Sequence, residues 1–209
     1  MRHLSLVLLA LAGVSPLLAD APALNLWNGS DLSLWEFVTS PAVDIATVCH
    51  AAPDGSLEAA GRPIGYLVFT ATTFKNFRMH AEWRWTGKPG NGGILVHIAS
   101  GPKDRQWPLC FQIQLKAHRA GDLLPMAGAT CAEVAPKATQ LERSGLDAEK
   151  APGEWNACDI ECRNGTITCS INGVPENQAS RCEPAEGRVG FQFEGTPFAL
   201  RNVRLTPIK

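Results

Sequence analysis

Residues 156–171 read Asn156-Ala157-Cys158-Asp159-Ile160-Glu161-Cys162-Arg163-Asn164-Gly165-Thr166-Ile167-Thr168-Cys169-Ser170-Ile171. Alternation of period two on either side of an Asn-Gly pair marks two strands joined by a two-residue type I′ turn. Both turn positions need positive φ, which Asn and Gly tolerate. Such a turn pairs Arg163 with Thr166 and Cys162 with Ile167. Counting outward in twos puts Cys158, Ile160, Cys162, Ile167, Cys169 and Ile171 on one face. Asp159, Glu161, Arg163, Thr166, Thr168 and Ser170 fall on the other. A hairpin with one apolar and one polar face belongs to a half-buried antiparallel sheet, and its three cysteines read as small core hydrophobes.

The same period runs through the rest of the chain. Strands are expected at 24–27, 34–38, 64–70, 77–85, 94–99, 109–117, 156–163, 166–172, 188–194 and 198–205. Turn chemistry separates many of them: Asn28-Gly29, Asp54-Gly55, Pro89-Gly90-Asn91-Gly92-Gly93 and Asn172-Gly173. The Gly90–Gly93 cluster reads as a tight connection, not as a phosphate cradle. One short helix is expected over 132–143. Short strands without long helical patterns make an antiparallel sandwich or barrel. No repeat, charge block or low-complexity linker divides residues 20–209, so they are read as one domain.

Composition agrees with that reading. The chain has 209 residues, 45% hydrophobic and 19% charged, with a formal net charge of -1. One core suffices for this length. Nineteen glycines and fifteen prolines suit turn-rich β architecture. No basic stripe points to a nucleic-acid partner.

The N-terminus carries Arg2, an apolar run from Leu4 to Leu18, and small residues around Ala19. This is the layout of a secretory signal peptide over residues 1–19, and the run of about 15 residues is short for a spanning helix. The mature protein is therefore expected outside the cytoplasm, periplasmic or extracellular, with no membrane span after cleavage. All seven cysteines lie beyond this segment. The spacing completes no zinc set. If a disulfide forms, Cys49, Cys110, Cys131 and Cys182 are the group to supply it.

Two strands have polar faces with a choice of roles. In 77–85 the face is Arg78, His80, Glu82 and Arg84; in 109–117 it is Cys110, Gln112, Gln114 and Lys116. Each is either a solvated outer face or a surface whose amides and cations hydrogen-bond sugar hydroxyls. No Walker loop, H-E-x-x-H or G-x-S-x-G occurs. The carboxylates Glu82, Asp122, Asp159, Glu161 and Glu194 fall on different segments, and spacing alone nominates no glycosidase pair.

Several segments, in order, resemble one family. Leu26-Trp27-Asn28-Gly29-Ser30-Asp31-Leu32-Ser33-Leu34-Trp35 resembles its opening L-F-N-G-K-D-L-S-G-W element. Glu82-Trp83-Arg84 and Asn91-Gly92-Gly93-Ile94 resemble its E-W-R and N-S-G-I block. Trp107-Pro108-Leu109-Cys110-Phe111-Gln112-Ile113-Gln114-Leu115-Lys116, then Ala120-Gly121-Asp122, resembles W-P-K-C-I-E-V-Q-L-K and A-G-D. Gly153-Glu154-Trp155-Asn156, the 164–173 hairpin and residues 187–207 complete the likeness. The family is the bacterial 3-keto-disaccharide hydrolases, also called 3-keto-glucoside lyases or 3-keto-2-hydroxy-glucal hydratases.

The resemblance implies an all-β, concanavalin A-like jelly-roll sandwich of two antiparallel sheets, an exported location and a saccharide substrate already oxidised at C3. It implies His97, Glu82 and Lys116 as catalytic participants, and Arg84, Asn91, Gln112, Gln114 and Asp122 as substrate-binding residues. Four of them also have a structural reading: Glu82 and Arg84 as salt-bridge partners, His97 as a satisfied structural histidine, Lys116 as an edge residue. A divalent metal is compatible with the sequence and not required by it. Gly92 replaces the serine of N-S-G-I. Gln112 stands where the motif carries Glu, and an amide cannot abstract a proton. The alternative is therefore a non-catalytic, lectin-like carbohydrate-binding sandwich.

Overall fold

The hairpin forms in the register that its turn dictates. Arg163 opposes Thr166, Cys162 opposes Ile167, and the ladder continues to Cys158 opposite Ile171. Asn164 and Gly165 sit at φ 50° and 72°, as a type I′ turn requires. Cys158, Cys162 and Cys169 are buried in the core, and all seven cysteines are free thiols.

The structure is a computed structural model that describes residues 21–135 and 137–209. The signal-peptide expectation at 1–19 lies outside the described residues. In chain order the strands are β1 Leu24–Asn25, β2 Trp35–Val38, β3 Cys49–Ala51, β4 Leu57–Ala59, β5 Gly65–Phe69, β6 Phe77–Trp85 and β7 Gly92–Asp104. They continue with β8 Trp107–Gln114, β9 Leu123–Met126, β10 Asn156–Arg163, β11 Thr166–Ile171, β12 Val174–Ala179, β13 Arg188–Phe193 and β14 Phe198–Pro207.

These strands make two antiparallel sheets packed face to face. One runs β12-β11-β10-β6-β14-β4-β3, with β1 also paired to β14; the other runs β2-β5-β13-β7-β8-β9. Their facing sides share one core of alternate residues. Phe77, Met79, Ala81, Trp83 and Trp85 come from β6, Phe111 and Ile113 from β8, and Phe191 and Phe193 from β13. Burying each such large side chain is worth about 1.5–3 kcal/mol, so alternation alone drives these strands face to face.

All ten expected strands occur, with ends shifted by a few residues. Four escaped the sequence reading: β3, β4, β9 and β12. The first three are three or four residues long, too short to show a period, and β12 is a polar edge strand carrying Pro175. The helix expected over 132–143 is not there among the described residues. That segment is tied down by extended contacts instead: Ala132 N–H donates to Ser180 O, and Leu141 pairs with Leu123. Pro136, within the stretch, has no amide hydrogen to give a helix. The Gly90–Gly93 cluster is only partly a connection, because Gly92 and Gly93 open β7.

Candidate active site on the outward face of the six-stranded sheet

Directly opposed residues of an antiparallel pair share a face, so register shows what the six-stranded sheet presents away from the core. Tyr66, Gln192, Gly93 and Gln114 form one row across β5, β13, β7 and β8. Val68, Gly190, Leu95 and Gln112 form the next. This face is not solvated: Gln112 is 1% exposed, Gln192 3% and Gln114 7%. A second, smaller apolar cluster of Tyr66, Val68, Leu95, Ile98 and Cys110 occupies the rest of it.

The three glutamines form a directed hydrogen-bond chain. Gln112 Nε2 donates to Gln114 Oε1 and to Gln192 Oε1, each at 2.9 Å. Gln192 Nε2 donates onward to Glu194 Oε2 at 2.8 Å, and Asn91 Nδ2 donates to the same oxygen at 2.7 Å. Glu194, when ionised, only accepts, so its carboxylate sets the orientation of the amides behind it. Both donors engage Oε2, and Oε1 takes neither. Glu194 is half-buried; burial lifts its carboxyl above the usual carboxylate range, and the Lys116 ammonium partly opposes that rise. Lys116 is exposed, with its backbone N–H 3.3 Å from Gln114 Oε1.

Gly93 makes room for the chain, since a Cβ there would lie 2.6 Å from Gln112 Cγ. Gln112 Oε1 is buried and has no partner among the described residues. A buried acceptor without a donor is costly, and a ligand hydroxyl would satisfy it.

Four of the site residues implied by the sequence therefore gather here: Asn91, Gln112, Gln114 and Lys116. The other four do not join them. His97 lies in a β-bulge at φ 52° that breaks the alternation of β7. Its ring, 1% exposed, packs edge-on to Phe77 at 5.6 Å, with Nε2 3.0 Å from Lys75 O. Burial lowers its pKa, against the carbonyls of Lys75 and Pro184. It is a packed histidine on the core side of β7, turned from Glu194's face.

Glu82 and Arg84 point outward from the other sheet, across the core. Arg201 Nε donates to Glu82 Oε2 at 2.6 Å, and Asn202 Nδ2 donates to Oε1. Desolvation pushes the Glu82 carboxyl up, but the Asn202 and Arg201 donors outweigh it and hold it below the usual range. Arg84 reaches Asp54 at 3.4 Å, and the Arg84 and Arg201 guanidiniums lie 4.6 and 4.2 Å from the Trp155 ring centre. Arg78–Glu161 and His80–Asp159, each at 2.7 Å, extend the same ladder of charges. The salt-bridge reading of Glu82 and Arg84 describes what they do here. Asp122 is buried under the loop after β8, where Arg143 N–H, Gln140 Nε2 and Arg119 Nε converge on its oxygens at 2.8, 3.0 and 3.0 Å.

Sequence reasoning missed Gln192 and weighed Glu194 only as one of five scattered carboxylates, without nominating it to the site. The signal was present. Val189, Phe191 and Phe193 alternate with Gly190, Gln192 and Glu194, the same apolar–polar pattern that singled out β8. For a metal, the one set of converging donors among the described residues is His118, Asp147 and Glu149. Its groups already bond one another and the fold: His118 Nδ1 to Asp147 at 2.9 Å, and Glu149 to His118 N–H and Trp85 Nε1. That is a loop staple.

The molecule is a jelly-roll sandwich with a polar hydrogen-bond network on one outward sheet face, and its family match makes it a carbohydrate-active, hydrolase-like domain. Residues 22–206 match the 3-keto-alpha-glucoside-1,2-lyase-like domain, and the chain belongs to that family. No curated protein sequence matches it. Among solved structures it resembles a candidate glycosyl hydrolase from Parabacteroides distasonis, with a TM-score of 0.62, 20% identity, and 90% of this chain and 94% of that one covered. It also resembles a Bacillus licheniformis β-glucanase, at TM-score 0.61 and 10% identity over 92% and 100% of the two chains. A carbohydrate-binding module from Bacillus subtilis superposes at TM-score 0.55 and 11% identity over 84% and 97%. At these identities the likeness is one of fold. Among the described residues, no helix is long and apolar enough to cross a membrane.

Proposed function

We propose that the chain is an exported hydrolase of 3-keto-glycosides that works by elimination and hydration, with Glu194 as the proton-transfer group. The observation that carries this reading is the half-buried Glu194 carboxylate, held through one oxygen by Asn91 and Gln192 with the Lys116 cation beside it. A ketone at C3 acidifies the C2 hydrogen. Glu194 takes that proton, and the enolate oxygen develops negative charge within reach of Lys116. Collapse of the enolate breaks the C1–oxygen bond, and protonated Glu194 returns its proton to the departing oxygen. Water then adds across the C1–C2 double bond of the 2-hydroxy-3-keto-glucal and regenerates a free 3-keto sugar. Membership of the family supports the substrate class, and the N-terminal segment supports export.

The glutamate that the motif carries at position 112 is replaced in this reading by a carboxylate just past the end of β13. Gln112 becomes the far end of the amide chain that orients Glu194. The same substitution is the one observation favouring a lectin-like binder without turnover.

Release of 3-keto-glucose from a 3-keto-disaccharide, followed by chromatography, separates the two. Turnover is expected, and Glu194→Gln should cut it by about 10²–10⁴-fold while sugar binding persists. Saturable binding with no turnover in the parent protein would sink the enzyme reading in favour of the lectin-like one.

A further inference from the structure

All seven cysteines are thiols in this structure, and the fold sorts the four that the sequence left open as bridge partners. Cys49 lies on β3, opposite Ala59, at one edge of the eight-stranded sheet. Cys110 faces away from the core on β8, with its Sγ 3.9 Å from the Met126 sulfur. Cys131 and Cys182 meet near the other edge. The Thr130 N–H donates to Glu183 O at 2.8 Å, and the Glu183 N–H returns the bond to Thr130 O at 2.9 Å. The Cys182 N–H donates to Gly165 O in the β10–β11 turn, about 20 Å from Cys49 by strand spacing.

Reciprocal bonds between Thr130 and Glu183 fix the register of this short ladder, and one step along it Cys131 opposes Cys182. The next bond, from the Ala132 N–H to Ser180 O, passes over Arg181, which bulges out at φ 51°. Cys131 and Cys182 thus form a non-hydrogen-bonded pair, in which side chains come closest and Cα atoms stand about 4.5–5.5 Å apart. A disulfide spans Cα separations of about 4.4–6.8 Å. Burial agrees with this register. Thr130 and Glu183 are exposed, whereas Cys182 is buried in the core and the half-buried Cys131 packs against the same core. Burial pushes the Cys182 thiol up to about 12, and the neighbouring Cys131 adds to the rise. Cys162, facing the core from β10 opposite Ile167, is the competing thiol.

We propose that Cys131 and Cys182 are a disulfide-forming pair whose closure fastens the segment before β10 to the sheet edge. The oxidant is a disulfide of the glutathione kind or a protein disulfide. Cys131, the more accessible thiol, attacks one of its sulfurs as the thiolate and expels the other as a thiol. Cys182 then attacks the Cys131 sulfur of the mixed disulfide and expels the second thiol. Two protons and two electrons leave the pair, and the oxidant's S–S bond becomes two thiols. The segment that starts at Cys131 carries Gln140 and Arg143, which hold Asp122 beyond the turn that carries Lys116. Closure in the cell rests on the export proposed above, since exported chains meet an oxidising compartment. The ability of the two sulfurs to join does not.

The full chain, purified reduced and then incubated in a glutathione redox buffer, supplies the test. Non-reducing peptide mapping by mass spectrometry should recover Cys131 joined to Cys182. The oxidised chain should melt about 5–15 °C above the reduced one. Cys131→Ser should abolish that gain and melt like the reduced parent. A bridge from Cys182 to Cys162, a Cys131 that stops at the glutathione adduct, or a melting gain that survives Cys131→Ser overturns the proposal. A pair that closes in the buffer but is recovered reduced from cells making the full chain would sink the export reading and leave the pair standing.

Discussion

Glu194 and Lys116 show how a single residue's surroundings set its chemistry. Burial lifts the Glu194 carboxyl, and the Lys116 ammonium lowers it again. A base must be ionised to act, so activity should rise with pH through a midpoint above the ordinary carboxylate value. Lys116→Met removes the opposing cation, and the rising limb of the kcat/KM profile should move to higher pH. A limb unmoved by the substitution would remove Glu194 from the mechanism. Gln112 gives the second prediction at this scale. Its Nε2 feeds the Oε1 of Gln192, whose Nε2 feeds Glu194. A glutamate at 112 would present an acceptor to that Oε1, and Gln192 has one amide to share between two carboxylates. Gln112→Glu should therefore lower activity at neutral pH, by pushing one carboxyl toward its protonated form. A gain of activity would show that the site is built for a carboxylate at 112.

Strands place these groups, and the places where strands are irregular decide what reaches the site. The bulge at His97 turns an imidazole inward that simple alternation would have set beside Leu95. A second irregularity, between Arg201 and Arg204 of β14, brings both Arg201 and Asn202 onto Glu82. Neither bulge is written in the composition of its strand, so the sequence could name His97 and Glu82 but not their company. Gly93 is the opposite case: its role follows from what its neighbour needs. A methyl there would meet Gln112 at 2.6 Å along most of its side chain. Gly93→Ala should displace the amide chain, cost about 1–3 kcal/mol in chemical unfolding, and cut turnover while the β-rich circular dichroism spectrum stays. Wild-type kinetics in that variant would show that Gln112 does not organise the site.

At the scale of the molecule, the segment between β9 and β10 is docked over the edge strand β12. Ser144 bonds the Glu176 carbonyl, and Asn177 reaches Gly121 and Leu141. Beneath it lies Glu176, wholly buried, with neither carboxylate oxygen hydrogen-bonded among the described residues. Desolvation raises its pKa, against Arg143. A carboxyl with a raised folded-state pKa contributes stability that is present below the unfolded value and is lost as pH rises through the folded one. Glu176→Gln keeps the shape without the charge. Its melting temperature should exceed the parent's at pH 8 by a few degrees, on the order of 1–3 kcal/mol, and match it near pH 4. A variant less stable at both pH values would mean that the carboxylate is doing structural service.

Alternation and turn chemistry let the sequence alone determine ten of the fourteen described strands, the register of the 156–171 hairpin, the burial of its cysteines and an antiparallel sandwich or barrel, which the family resemblance narrowed to a jelly roll. These are local matters: a period of two and an Asn-Gly turn act over a few residues and need no distant partner. The active-site candidates were legible as residue types and only half legible as a set. Asn91 and Glu194 are 103 positions apart, and Gln112 and Gln192 are 80 apart. Only the order β13-β7-β8 makes them neighbours. Tertiary structure decided that Glu82 and Arg84 face away from Lys116, that His97 is core, and that a carboxylate two residues beyond Gln192 completes the network. The physical reason is that sheet order and bulge position come from long-range packing of two faces, which no short window of sequence contains.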